Sequence, residues 1–141
     1  MRDKILRIEW LKAMNLDDCI ESPLSNLTGL YYITTTLNKE ISLYIGIATG
    51  TNTVRKRLKA HRDEWLRYYR GNIRVRIGQM IYPRNVTDDM IYDAESAILY
   101  KNNFLLDNRQ KLNSYHCTDF YRVENMGDIF EIPSLIIMKK Q

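Results

Sequence analysis

The stretch TGLYYITTTLNKEISLYIGIA, residues 28–48, contains two runs rich in tyrosine, isoleucine and threonine. These residue types favour β-strands, because aromatic and β-branched side chains fit a pleated, half-buried surface. The polar segment LNKE, residues 37–40, separates the two runs, so the stretch predicts an antiparallel hairpin. Tyr31 and Tyr44 lie on the two predicted strands, each in a short triplet with a glycine at one end. A strand core can be built without tyrosine, so their hydroxyls need either a hydrogen-bonding partner or a chemical role.

The segments that follow the hairpin predict a helix, a strand and another helix. Residues 53–69 form a long basic amphipathic pattern, for which the segment 50–53 supplies the N-cap chemistry and Gly71 is the expected stop. Residues 72–82 alternate apolar and polar side chains, which predicts a half-exposed third strand. Residues 85–102 predict a second helix, with Thr87 as its N-cap.

The two ends of the chain carry weaker patterns. Residues 3–15 place apolar side chains at helical spacing and predict a packed N-terminal helix. The C-terminal part is irregular and closes with the apolar run SLIIM, residues 134–138, for which a late strand and a packed tail both remain open.

The order strand, strand, helix, strand, helix predicts an α+β fold. We expect a small, mostly antiparallel three-stranded central sheet flanked by helices, with an extra N-terminal helix. The chain of 141 residues fits a single domain. Within it we expect an N-terminal helical extension (1–26), a core (27–115) and a C-terminal extension (116–141).

Composition narrows the classes of partner. The net charge of +4 favours an anionic partner such as nucleic acid. Only Cys19 and Cys117 are present, which suggests neither a disulfide framework nor a thiolate zinc site. No apolar run approaches the length of a membrane span, and the charged N-terminus does not resemble a signal peptide. We therefore expect a soluble cytoplasmic protein with no membrane partner.

The residues that could carry chemistry resemble those of the GIY-YIG endonuclease superfamily. The resemblance spans residues 28–113, with leucine in place of the usual central isoleucine of the first triplet. The matching elements are Gly29-Leu30-Tyr31, Tyr44-Ile45-Gly46, Arg57-Leu58 with His61, Glu95 and Asn113. No single triplet is specific, but five elements in the right order on the right predicted elements make a specific combination.

The resemblance implies a metal-dependent enzyme that hydrolyses DNA phosphodiester bonds. Tyr31 and Tyr44 would supply the general base and a hydrogen bond at the attacked phosphate, with Tyr31 the preferred base. Arg57 would neutralise the phosphate, and His61 would orient the nucleophile or share the proton transfer. Glu95 would hold one Mg²⁺ or Mn²⁺ ion.

The remaining matched residue, Asn113, would support this group of side chains. Restriction-type, mobile-element and repair-type enzymes are all compatible with such a compact chain, which would act as a homodimer or with a partner subunit.

The chemistry of the residues agrees with these roles. At about 100° per residue, His61 falls on the apolar face of its helix, with Arg57 one turn earlier, so both should lean toward the sheet that carries the tyrosines. Tyrosine is a poor base at its usual pKa of about 10 unless nearby cations stabilise the phenolate. The cations predicted to bind nucleic acid are Arg55, Lys56, Lys59, Arg74 and Arg76, the last two on one outer face of the third strand.

One feature departs from the family pattern. Many members have a lysine soon after the second triplet, whereas Ile47-Ala48-Thr49 follows here. Activation of the tyrosine would then rely on His61, Lys56 or the metal, or activity would be reduced. A weakly active or inactive nucleic-acid-binding relative and a protein-interaction module are therefore the alternative functions.

Overall fold

The structure is a computed structural model that describes residues 4–101 and 121–138. Within these ranges the chain forms seven strands and three α-helices. They are β1 (Lys4–Trp10), β2 (Met14–Asn15), α1 (Leu16–Glu21), β3 (Gly29–Thr36), β4 (Glu40–Ala48), α2 (Val54–Glu64), β5 (Asn72–Tyr82), α3 (Asp88–Lys101), β6 (Tyr121–Gly127) and β7 (Leu135–Met138). The predicted hairpin, the strand at 72–82 and the two helices after the hairpin are confirmed.

The strands form one mixed sheet, and the predicted three-stranded sheet is wrong. The strand order is β4-β3-β5-β1-β6-β7, with β2 beside β5. The hairpin and β5 are antiparallel neighbours, but β5 also pairs with β1, whose residues are predicted to form a helix. Beyond β1 the sheet continues through the parallel strand β6 and the antiparallel strand β7. The result is a curled seven-stranded sheet.

The N-terminal helix predicted for residues 3–15 is also wrong. Leu6, Ile8 and Trp10 are buried and alternate with the less buried Arg7 and Glu9, which is the period of a strand. A run this short also places apolar residues at helical spacing, so its own pattern does not separate the two structures. Pairing with β5 and β6 stabilises the strand, and those partners are distant in sequence.

The two faces of the sheet are covered by different helices. On one face, Leu30, Tyr32 and Ile45 belong to the same buried cluster as the apolar side of α3. On the other face, Tyr31 and Ile33 pack with residues of α1 and α2. Successive side chains of a strand point to opposite faces, so the adjacent tyrosines 31 and 32 are separated by the sheet.

The helix α2 is shorter than predicted. The Thr53 hydroxyl accepts a hydrogen bond from the backbone N–H of Lys56 at 3.2 Å and caps the start of the helix, as expected. The helix ends at Glu64 rather than continuing to Gly71, and one 3₁₀ turn follows at Leu66–Tyr68. The chain leaves the helix at Trp65, whose indole lies against His61 of the last helical turn.

The helix α3 begins as predicted. The Thr87 hydroxyl accepts a hydrogen bond from the Met90 backbone N–H at 3.2 Å. Two acidic residues, Asp88 and Asp89, occupy the first turn. Their negative charges interact favourably with the positive end of the helix dipole. None of the helices in the described part of the chain is long and apolar enough to cross a membrane.

Candidate active site around Tyr31 and His61

The two signature tyrosines lie side by side on one face of the sheet. In the β3–β4 register Tyr31 is opposite Gly46, and Tyr44 is opposite Ile33. The two tyrosines therefore occupy diagonal positions on neighbouring strands, within reach of each other. Their rings stack with centroids 6.0 Å apart and an interplanar angle of 27°. Tyr31 is fully buried, whereas Tyr44 is partly exposed.

Gly46 is required by the position of the Tyr31 ring. A Cβ atom built at residue 46 would lie 2.4 Å from Tyr31 Oη and 2.5 Å from its Cζ. Such distances are far below normal van der Waals contact, so a larger residue would displace the phenol. The close approach of the Tyr31 ring thus explains why residue 46, in the second triplet, is a glycine.

We expect Gly46→Ala to destabilise the protein by about 3 kcal/mol, the upper part of the range for overpacking a core. Thermal or urea unfolding measures the change. Gly50→Ala is the matched control, because a Cβ there meets no atom within 4 Å, although its φ is +64°. That variant should lose only about 1 kcal/mol, from the left-handed backbone conformation. Equal losses in the two variants would contradict the placement of the Tyr31 ring.

His61 joins the tyrosines from α2. Its Nε2 atom lies 2.7 Å from Tyr31 Oη, and its ring centroid lies 4.9 Å from that of Tyr44. The other ring nitrogen, Nδ1, accepts a hydrogen bond from the Trp65 indole N–H at 2.9 Å. Burial, and to a smaller extent the charge of Arg57, lower the pKa of His61 to about 4. The imidazole is therefore neutral near pH 7.

Arg57 places a positive charge beside both phenols. Its guanidinium interacts with the hydroxyls of Tyr31 and Tyr44 by charge and hydrogen bonding. Burial and the neighbouring Tyr44 raise the pKa of Tyr31, while Arg57 acts in the opposite direction. Burial opposes the charge of Arg57 itself, but the two tyrosines more than offset this and raise its pKa. The structure thus brings four of the predicted site residues together: Tyr31, Tyr44, Arg57 and His61.

Glu95 is buried on α3, with only 1% of its surface exposed. The α3 residues around it, such as Ile91 and Ile98, belong to the cluster that covers the Tyr32 face of the sheet. The Tyr31 side chain lies on the other face, where it packs with residues of α1 and α2. Asn113 lies outside the described residues, so its role stays a prediction.

The described residues contain no group of three or more histidine, cysteine, aspartate or glutamate side chains that could hold a metal ion. A Mg²⁺ site needs no such group, because Mg²⁺ often binds one or two carboxylates and takes water and phosphate as its other ligands. The oxygen donors of Glu95 suit such an ion. Since the carboxylate is almost fully buried, an ion can reach it only if the surrounding side chains move.

Two of the predicted nucleic-acid contacts have structural partners instead. Arg76 was expected on an exposed face of the third strand, but it is only 4% exposed. Its guanidinium pairs with Glu40 at 2.6 Å and with Asp128 at 3.0 Å. The expected outer position of Arg76 is therefore wrong, because Glu40 of β4 and the loop after β6, with Asp128 and Phe130, lie against its guanidinium. Buried cations of this kind need paired carboxylates.

Arg55 binds the end of α1 and the turn after it. Its Nε atom donates to the Ile20 carbonyl at 2.8 Å, and its Nη2 atom donates to the Ser22 carbonyl at 2.9 Å. The Ser25 hydroxyl also donates to both carbonyls, so Arg55 and Ser25 together hold the end of α1 to the turn that follows it. Lys56 and Lys59 remain exposed on α2, and Arg74 is partly exposed on β5.

Trp65 is a further residue of the site, and the sequence pattern alone predicts no role for it. Its position four residues after His61 placed it on the same helix face, which indicates packing as readily as function. The signal that could have identified it is the pairing of an N–H donor with a histidine at this spacing.

Comparisons of the chain with protein-family models, with curated proteins and with solved structures find no match.

Proposed function

We propose that this protein is a metal-dependent endonuclease that hydrolyses phosphodiester bonds in DNA, with Tyr31, Tyr44, Arg57 and His61 at the centre of its active site. The observation that carries the proposal is the 2.7 Å contact between Tyr31 Oη and His61 Nε2 beside the Arg57 guanidinium. The group combines side chains that transfer protons with a cation suited to phosphate. The resemblance of the same residues to the GIY-YIG signature is the second support.

Arg57 is the residue that would bind the scissile phosphate. Phosphodiester hydrolysis adds negative charge to the non-bridging oxygens in the transition state, and a fixed guanidinium stabilises that charge. Arg57 is held against two phenols rather than by a carboxylate among its described contacts, so its charge is available to an incoming anion. It also stands in for the lysine that many family members carry after the second triplet. The alternative cation, Lys56, is exposed and its Nζ atom lies 3.4 Å from the Thr51 carbonyl.

The two tyrosines would have different catalytic roles because they differ in solvent exposure. A general base must reach the attacking water. Tyr31 is fully buried and its pKa is raised, whereas Tyr44 is partly exposed. We therefore assign the base to Tyr44 and give Tyr31 the role of linking Tyr44 to His61, which reverses the preference drawn from the sequence. Arg57 favours the phenolate form of a tyrosine in contact with it.

Glu95 would hold one Mg²⁺ or Mn²⁺ ion together with substrate phosphate, which requires the side chains that bury its carboxylate on the Tyr32 face of the sheet to move. When bound, the ion would stabilise negative charge on the leaving oxygen. This role asks for one protein carboxylate only, because water and phosphate can complete the coordination shell of Mg²⁺.

The exposed lysines of α2 are expected to contribute to DNA binding. Replacing Lys56 and Lys59 with alanine should weaken binding to duplex DNA and reduce the slope of log affinity against log salt by roughly 2, about one unit for each lost phosphate contact. Filter binding over a range of salt concentrations measures the slope. Lys39→Ala, in the exposed β3–β4 turn, is the control and should leave the slope unchanged. An affinity that does not depend on salt would contradict the DNA partner.

Incubation with supercoiled plasmid tests the function itself. We expect nicked or linear product with Mg²⁺ and intact plasmid with a chelator. Binding without any cleavage would contradict the enzyme and would favour the nucleic-acid-binding alternative. Neither binding nor cleavage would favour a protein-interaction module.

A further inference from the structure

We propose that Trp65 is a positioning residue that fixes the tautomer of His61, so that the imidazole donates its only N–H to Tyr31. The assignment of the tautomer stands on the structure alone. Its consequence for cleavage deepens the proposed function and rests on it.

The tautomer follows from the hydrogen bonds on the two ring nitrogens. The Trp65 indole N–H donates to His61 Nδ1 at 2.9 Å, so this nitrogen must carry a lone pair. A neutral imidazole has one proton, which must then be on Nε2. Nε2 lies 2.7 Å from Tyr31 Oη, and the N–H points to the phenol oxygen as a donor. Because burial keeps His61 neutral near pH 7, one tautomer is sufficient to describe it.

Trp65 is well suited to this role because an indole can only donate. A hydroxyl, an amide or a water molecule could reorient and accept from Nδ1–H, which would permit either tautomer. The position of the indole is fixed at the end of α2. The Trp65 backbone N–H donates to the His61 carbonyl at 3.0 Å, and its ring contacts Tyr44 and Tyr69 at centroid distances of 5.6 Å and 5.7 Å.

The direction of the His61 hydrogen bond determines the direction of the phenol proton. When Tyr31 accepts from His61, its own proton points away from the imidazole and is free to face Tyr44, whose hydroxyl interacts with it. In the other tautomer, Nε2 would accept and Tyr31 would donate to it. Trp65 thus sets the donor-to-acceptor direction of a series of hydrogen bonds that runs from Trp65 through His61 and Tyr31 to the more exposed Tyr44.

Nitrogen-15 NMR of the full-length protein tests the assignment. The chain has two histidines, His61 and His116, so a His61→Gln sample identifies the signals. In the wild type at pH 7 we expect a protonated Nε2 and an unprotonated Nδ1 at His61. In Trp65→Phe the tautomers should mix or shift to the Nδ1–H form, because an aromatic ring remains while the N–H donor is lost.

Trp10→Phe is the matched control, since the chain has two tryptophans. Its indole also donates to a buried acceptor, Asn125 Oδ1, at 2.9 Å, but on the other face of the sheet. This variant should keep the His61 tautomer, and thermal melting shows whether both variants are folded. For plasmid cleavage we expect a loss of about 10- to 100-fold in Trp65→Phe beyond any loss in Trp10→Phe, as for partners that orient metal-binding imidazoles, with DNA affinity unchanged.

An Nδ1–H tautomer in the wild type would overturn the inference without the need for any variant. So would a Trp65→Phe protein that keeps the Nε2–H form and cleaves at the rate of Trp10→Phe. A wild-type protein that never cleaves DNA would contradict the proposed function, while the tautomer measurement would still decide the assignment to Trp65.

Discussion

Glu95→Gln is expected to lower the rate of plasmid cleavage by about 100-fold or more, while folding and DNA binding persist. Glutamine keeps the shape of the side chain and its helix propensity but removes the charge that would hold the metal ion. DNA affinity is expected to stay near that of the wild type, because the Glu95 carboxylate is buried and does not lie on the surface that DNA would contact. Cleavage rates at several Mg²⁺ concentrations, with thermal melting and filter binding on the same samples, measure the three properties.

Glu64→Gln is the matched control for this variant. Glu64 is the exposed last residue of α2, and an exposed carboxylate is worth well under about 1 kcal/mol in a surface ion pair. Its replacement should therefore leave cleavage near the wild-type rate. Magnesium-dependent cleavage by Glu95→Gln at the rate of Glu64→Gln would contradict the assignment of Glu95 to the metal.

Arg57→Gln is expected to reduce cleavage by about 100- to 1,000-fold, the usual effect of removing one group that stabilises transition-state charge. Besides losing the phosphate contact, the variant loses the cation that opposes the rise in the pKa of Tyr31. A second readout does not depend on activity. Arg57 contributes to the lowered pKa of His61, after burial, so the pKa should rise from about 4 when the charge is removed. An NMR titration of His61 measures it.

Arg62→Gln provides the control on the same helix. Arg62 lies one residue after His61 and pairs with Asp17 at 3.2 Å at the surface. This variant should retain both the cleavage rate and the His61 pKa. If Arg57→Gln and Arg62→Gln cleave equally well, Arg57 does not bind the scissile phosphate.

The local parts of the fold could be predicted from the sequence because their signals are local. The β3–β4 hairpin has strand-forming runs on both sides of a polar turn, and α2 and α3 each begin at a threonine that caps the helix. Helical spacing also predicted correctly that His61 and Arg57 face the tyrosines.

The remaining strands could not be predicted because their pairing is long-range. β1 is a strand because β5 and β6 pair with it, and its seven residues alone fit a helix as well. The burial of Arg76 could not be predicted for the same reason, because its partners are distant in sequence. Alternation on β5 predicts an outer face, but Glu40 from β4 and Asp128 from the loop after β6 cover it. No local pattern indicates that α2 ends at Glu64 or that the Trp65 indole donates a hydrogen bond to His61, because both depend on tertiary packing.

We propose that Tyr31, Tyr44, Arg57 and His61 form the active site of an endonuclease. The most direct test is the rate of supercoiled plasmid cleavage by wild type and Arg57→Gln, purified side by side and assayed with Mg²⁺ and with a chelator. Parallel purification separates the activity of the protein from that of a contaminating nuclease. We predict Mg²⁺-dependent nicking or linearisation by the wild type that falls by about 100-fold or more in the variant. Equal cleavage by both proteins, or none by the wild type while it binds DNA, would contradict the claim.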